Sequence, residues 1–95
     1  DIVAPEPLWN AEEVCNHLAS QGEIYKVSGL KALYHEVEAN VAYINGEVIR
    51  VDENDSALLT SLCNEPVITS EQTVSPSGIA LITDLVNKGY WFIEE

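Results

Sequence analysis

Methionine is missing altogether, and bases nearly so: the 95 residues hold four Lys and Arg against sixteen Asp and Glu, a formal charge of −12. Each shortage removes a class of function. Nucleic-acid modules gather Lys and Arg on one face to neutralise phosphates, so a chain this negative repels a phosphate backbone and favours basic partners. With no initiator methionine, and no basic stretch leading into an apolar one, the start reads as neither a native N-terminus nor a signal peptide. Asp1 is therefore expected to mark a cut inside a longer protein, with a mature secreted domain as the alternative. Long apolar runs are also lacking. None approaches the roughly 20 residues needed to cross a bilayer, so no membrane role is expected.

Cysteine and histidine are equally scarce. Cys15 and Cys63 lie in VCNHL and SLCNE, apolar settings that suggest buried thiols in a reducing, cytoplasmic compartment rather than the dense disulfides of a small secreted scaffold. A non-haem iron triad takes two His and a carboxylate, commonly with the first His two residues before the acid. Two residues after His17 stands Ala19, and two after His35 stands Val37, so neither fits. Cys15 and His17, two apart on a helix, point in different directions, which argues against a Cys–His dyad. There is no glycine-rich phosphate loop, G-x-S-x-G or CxxC, and Ser75 and Ser77 are accounted for by caps and turns. No catalytic residue, metal ligand or cofactor site is expected in this stretch.

What is present has the punctuation of one small domain, which at this length buries about 60–65% of the surface of its unfolded chain. DIVAPEP, with two prolines around Glu6, reads as an extended linker over residues 1–8, leaving 9–95 as the domain. Asn10 and Glu13 have the spacing of a capping box, and Trp9 with Val14 that of a hydrophobic staple. The first helix then carries Ala11, Val14, Cys15 and Leu18 on its expected core face and ends at Gly22.

From Glu23 to Val51 the pattern turns to β: EIYKV, KALYHEV, VAYI and EVIRV, separated by SG, EAN and NG. Asn45-Gly46 is the strongest local signal, since both residues tolerate the positive φ of a two-residue hairpin. Ser28-Gly29 suggests a second hairpin. Beyond Val51 a helix is expected with Asn54 or Asp52 as cap, Leu58, Leu59 and Leu62 on one face, and an end near Asn64 and Pro66. Thr69 with Gln72 forms a further capping-box pair, opening a short turn through Val74. Ser75-Pro76 opens a last helix lined by Ile79, Ile82, Leu85 and Val86, closed by Lys88 and Gly89.

The tail KGYWFIEE places Tyr90, Trp91 and Phe92 together just before the chain stops on two acids. A frayed terminus gains nothing from such surface, so the tail is expected to dock as a last strand against the hairpins, with Glu94 and Glu95 in solvent. Helix, two β-hairpins, two to three helices and a C-terminal strand describe an α+β, winged-helix-like domain. Its expected structural residues are Trp9, Asn10, Asn45, Gly46, Gly89, Tyr90, Trp91 and Phe92. Winged helices often bind DNA through a basic helix, but the two C-terminal helical segments offer Lys88 alone, and a cation at a helix C-terminus is first a partner of the helix dipole.

Three stretches, DIVAPEP, YINGEVI and LVNKGYWFIEE, resemble the C-terminal region of the bacterial ribosomal-protein arginine hydroxylases, JmjC-type cupin oxygenases dependent on Fe(II) and 2-oxoglutarate. The similarity covers essentially the whole chain. It implies a parent in which an N-terminal JmjC domain holds the iron ligands and co-substrate, a helical region dimerises, and a winged helix ends the chain. This sequence would be that last, non-catalytic domain, with the rest of the oxygenase as its partner and none of the family's catalytic residues within it. A basic ribosomal protein would then be drawn in by the acids of the sheet side and the loop after it, Glu36, Glu38, Glu47, Asp52 and Glu53. Two other classes remain open: a stand-alone module that binds a peptide along a sheet edge, which a free strand edge beside an apolar groove would favour, and an acidic DNA-binding winged helix, which affinity for duplex DNA would favour.

Overall fold

The computed structural model describes residues 2–72 and 74–94. Asp1, the expected cut, and Glu95 of the tail lie outside the described residues, as does Thr73 of the expected turn at 69–74.

Helix α1 (Ala11–Ala19) begins with the foreseen capping box: Asn10 Oδ1 accepts from the Glu13 amide at 2.8 Å, and Glu13 Oε1 accepts from the Asn10 amide at 3.0 Å. Its core face is narrower than expected. Val14 and Leu18 are buried while Ala11 and Cys15 are exposed, because α1 packs chiefly against one neighbour, α3, and a single i,i+4 ridge covers it. Cys63 is only half-buried, so neither thiol is the buried group the composition suggested; both are free. The helix stops at Ser20, ahead of Gly22, since Gln21 already takes the left-handed turn at φ 65°.

Two separate sheets follow. Both sides of β1 (Ile24–Lys26) are occupied by antiparallel strands, β5 (Val67–Ile68) pairing Ile24 with Ile68 and β6 (Trp91–Phe92) pairing Tyr25 with Phe92. The wing is an antiparallel meander of β2 (Ala32–Tyr34), β3 (Val41–Ile44) and β4 (Glu47–Arg50). With no free side on β1, Ser28-Gly29 is a turn between sheets and not the expected hairpin. The two hairpins are β2–β3 and β3–β4, the latter turning at Asn45 and Gly46 with φ 50° and 83°.

A 3-10 turn at Glu53–Asp55 leads into α2 (Ser56–Asn64), which buries Leu58, Leu59 and Leu62. Asp52 makes no side-chain cap bond at the start of the turn, and Asn54 does not stand at the start of α2. Asp55 does, and it makes no cap bond because its carboxylate is committed elsewhere. Thr69 and Gln72 pair, the Thr69 amide donating to Gln72 Oε1 at 2.8 Å, and a short turn follows at residues 70–72.

Helix α3 (Pro76–Asn87) is capped by Ser75, whose Oγ accepts from the Gly78 amide at 3.0 Å, and buries Gly78, Ile79, Ile82, Leu85 and Val86. Gly78 lies close against α2: a Cβ there would stand 2.9 Å from Leu58 Cδ2, so that side-chain end would have to shift. At the far end Gly89 turns the chain at φ 83°, with the Val3 backbone so close that a Cβ would meet it at 2.6 Å. The segment before α1 is thereby laid along this turn, and Asn87 grips it twice: its Oδ1 accepts from the Trp9 amide at 2.9 Å, and its Nδ2 donates to the Trp9 carbonyl at 2.8 Å.

The aromatic tail forms β6 beside β1, away from the hairpins against which it was expected. Trp91 is 1% exposed and Phe92 41%, the alternation of a strand with one face in the core. Lys26 Nζ lies 5.6 Å from the Trp91 ring centroid and donates to the Cys63 carbonyl at 2.9 Å, at the C-terminal end of α2 where a cation complements the helix dipole. Burial lowers the Lys26 pKa. Trp91 Nε1 has no partner among the described residues, a cost of about 1–3 kcal/mol that the buried indole surface outweighs.

Trp91→Ala is expected to destabilise the protein by about 3–5 kcal/mol, measured by denaturant unfolding, and Phe92→Ala by less than about 1 kcal/mol. Equal losses from the two substitutions would contradict the docked strand.

Candidate functional site

The five acids proposed as a partner surface do not form one cluster. Glu36 and Glu38 lie in the β2–β3 connection, which His35 organises: its Nδ1 accepts from the amides of Val37 at 3.1 Å and Glu38 at 2.8 Å. Glu38 meets Arg50 at 2.5 Å, but with side chains 52% and 64% exposed this pair contributes at most about 1 kcal/mol. Asp52 and Glu53 are exposed where β4 leads into the 3-10 turn.

Glu47 is a fastener. One carboxylate oxygen accepts from Lys88 Nζ at 2.7 Å and the other from the Tyr90 hydroxyl at 2.5 Å, joining the wing to the C-terminal end of α3 and the tail. Lys88 first, then Tyr90, holds the Glu47 carboxyl below the usual range, while Glu47 raises the Lys88 pKa. Lys88, just past the end of α3, also meets Asp84 at 3.3 Å and is thus committed within the fold.

A sixth acid escaped the sequence reading. Asp55, 4% exposed, accepts from Ser75 Oγ at 2.5 Å and from Ser77 Oγ, and these two serines, Ser75 before Ser77, hold its carboxyl below the usual range against the opposing effect of burial. Ser75 thus spends its proton on Asp55 and its lone pair on the Gly78 amide, which sets an anion at the N-terminus of α3 where the dipole favours it. Partners 20 and 22 residues apart leave no local pattern.

Beside the Asp55 fastener lies a groove. Its walls are the end of β4 with the loop after it and the first half of α3, and a cavity of about 330 Å³ there is lined by Arg50, Val51, Asp52, Asp55, Ser77 and Leu81. A second hollow of about 300 Å³ lies between the N-terminal segment and the tail, among Pro5, Pro7, Leu8, Trp9 and Ile93. His17 Nε2 is bonded to the Glu23 carbonyl at 2.9 Å. Among the described residues no three His, Cys, Asp or Glu side chains converge so as to hold a metal ion, and no helix is long and apolar enough to cross a membrane.

Residues 1–92 match the model of a known family, the ROXA-like winged helix. The chain belongs to that family. A relative, the ribosomal protein uL16 3-hydroxylase of Escherichia coli, is 34% identical over 99 aligned positions, which take in 99% of this chain and 25% of the relative. Among solved structures, YcfD, a ribosomal oxygenase from E. coli, superposes with a TM-score of 0.86 at 30% identity, covering 100% of this chain and 26% of that one. The same oxygenase in complex with cobalt and 2-oxoglutarate gives a TM-score of 0.88 at 30% identity. This ROXA-like winged helix therefore spans about a quarter of the length of the relatives it matches.

Asp55→Asn tests the α2–α3 fastener. A carboxyl whose pKa is lower folded than unfolded stabilises above its unfolded value near about 3.9, and that stability is lost as pH falls through the folded value. The variant is expected to melt below the parent at about pH 7, the gap closing towards about pH 3 and below. A gap independent of pH in thermal melts would remove the charge from the account.

Proposed function

We propose that this winged helix is the C-terminal accessory domain of a longer ribosomal-protein hydroxylase, a JmjC/cupin oxygenase using Fe(II) and 2-oxoglutarate, and that it supports the architecture of that enzyme and attracts its basic substrate. The observation that carries this reading is the end-to-end match to a quarter of such a hydroxylase. It would work in the cytoplasm, with the remainder of the oxygenase as its first partner and a ribosomal protein as its second.

The residues here do not fit the iron. His35 Nδ1 is spent on two amides, His17 Nε2 on a carbonyl, and no carboxylate joins either histidine in a ligand group among the described residues. Binding of metal and co-substrate is therefore assigned to the rest of the parent. DNA recognition is disfavoured by the −12 charge and by the engagement of Lys88 with Glu47 and Asp84.

Attraction acts at a distance, so salt reveals it. The Debye length shrinks from about 30 Å at 0.01 M to about 10 Å at 0.1 M, and a steering role predicts a steep fall in the substrate on-rate of the parent over that range. Neutralising Glu36, Glu38, Asp52 and Glu53 should flatten the fall; Glu47, the fifth acid of the surface, is left intact because it holds the wing. A salt dependence unchanged by the four substitutions would assign them to solubility. The 95-residue chain alone is expected to turn over no 2-oxoglutarate in the presence of Fe(II), and iron-dependent turnover by it would refute a non-catalytic role.

A further inference from the structure

The wing has an unpaired edge. The Val51 amide donates to the Asn40 carbonyl, and the register pairs Val41 with Arg50 and Tyr43 with Val48. In an antiparallel ladder hydrogen-bonded and non-hydrogen-bonded pairs alternate, so Asn40–Val51, Ala42–Ile49 and Ile44–Glu47 are bonded, and the backbone N–H and C=O groups of Val48 and Arg50 point away from β3. Among the described residues no strand lies on that side of β4. Val48 and Arg50 are both exposed.

This edge stands beside the groove already described. At one end β4 is tied to α3 through Glu47 and Lys88; at the other, Arg50 and Val51 share a cavity with Ser77 and Leu81 of α3. A strand added to β4 would lie along α3. Its side chains would alternate, one set facing the groove with Leu81 and Asp52, the other extending the outer face of the wing. On that outer face Leu33, Tyr43 and Val48 form one cross-strand row, 64%, 40% and 52% exposed, ready for an apolar neighbour.

From this arrangement we infer that the β4 edge and its groove bind an extended basic peptide segment as an added strand, with basic side chains towards the groove and apolar ones beside Val48. Charge selects the occupant. Asp52 lines the groove, Glu53 follows it in the adjoining turn, and the surrounding chain carries −12. Main-chain hydrogen bonds supply affinity in such additions, and alternate side chains supply selectivity. The choice of a basic partner rests on the function proposed above; the free edge does not.

The test uses the isotope-labelled 95-residue protein and a short synthetic peptide alternating arginine and valine at physiological salt. Saturable binding is expected, with the largest amide shifts from Val48 to Asp52 and slowed hydrogen exchange at the Val48 and Arg50 amides. Two further peptides decide the mode, one N-methylated at every valine and the other at every arginine. Residues of only one parity turn their N–H towards β4, so one analogue should bind about tenfold more weakly and the other should not. Equal affinity of the two analogues would overturn the inference, as would shifts spread over the acidic surface without protection of Val48 and Arg50. Val48→Pro removes an outward N–H that β3 does not use, which an edge strand tolerates, and should weaken the parent peptide about tenfold. A glutamate–valine peptide that bound the edge as tightly would overturn the basic occupant. No parent enzyme enters this experiment, so its failure and that of the salt-dependence test are separable.

Discussion

Everything else in this domain is arranged around a helix held at both ends. The apolar stripe of α3, Ile79, Ile82, Leu85 and Val86, fills the single core, and burying each such side chain contributes about 1.5–3 kcal/mol. Hydrophobic burial has no direction, and it would permit α3 to slide or rotate. Polar contacts remove that freedom. Asp55 grips Ser75 and Ser77 at the start, while Asn87 and Lys88 take the Trp9 backbone and Glu47 at the end. Each of these joins α3 to a distant part of the chain: the 3-10 turn, the N-terminal segment, the wing.

The division into two sheets follows from this anchoring. Once Gly89 has turned the chain after α3, the tail runs beside β1, and β5, following α2, takes the other side. A β1 flanked on both sides has no place for β2. The wing is therefore a separate meander, attached to the core through its inner residues Ala42 and Ile44 and through Glu47. Its last strand, paired with β3, has no strand on its other side among the described residues, and α3 runs nearby. The open edge is thus a consequence of the way β1 is satisfied.

How much of this the sequence disclosed depended on the range of the interaction. Asn10–Glu13, Asn45-Gly46, Ser75-Pro76 and the turn at Gly89 are contacts within a few residues, and all form as expected. Trp91 was recognised because a buried strand was the reasonable use for three aromatics at a terminus. The failures are non-local. Ser28-Gly29 has the chemistry of a hairpin turn, but strands brought in from residues 67 and 91 had already claimed β1. β5, of two residues, is too short to show a period. Helical spacing put Cys15 on the core face, although a helix that meets chiefly one neighbour needs only the Val14–Leu18 ridge. Asp55 looked like one more solvated acid because its serines lie twenty residues away. The acids of the candidate surface could be named from the sequence, but not that Glu47 among them is a fastener.

That division bears on what the domain can attract. Lys26 is directed at the Cys63 carbonyl and the Trp91 ring, Lys88 at Glu47 and Asp84, and Arg50 at Glu38, so three of the four bases serve internal or local contacts. Two acids, Glu47 through Lys88 and Asp55 through its serines, bind the wing and the turn before α2 to α3, while Asp52 and Glu53 follow β4 and remain exposed. A partner approaching the groove between β4 and α3 would meet carboxylates at its rim and peptide groups along one wall that have no partner among the described residues. Attraction through the first falls with salt, whereas hydrogen bonding through the second does so much less, because screening acts on separated charges and hardly on contact dipoles. If a basic segment binds as proposed, salt should therefore slow its arrival more than it loosens one already seated, the charges recruiting and the strand edge holding.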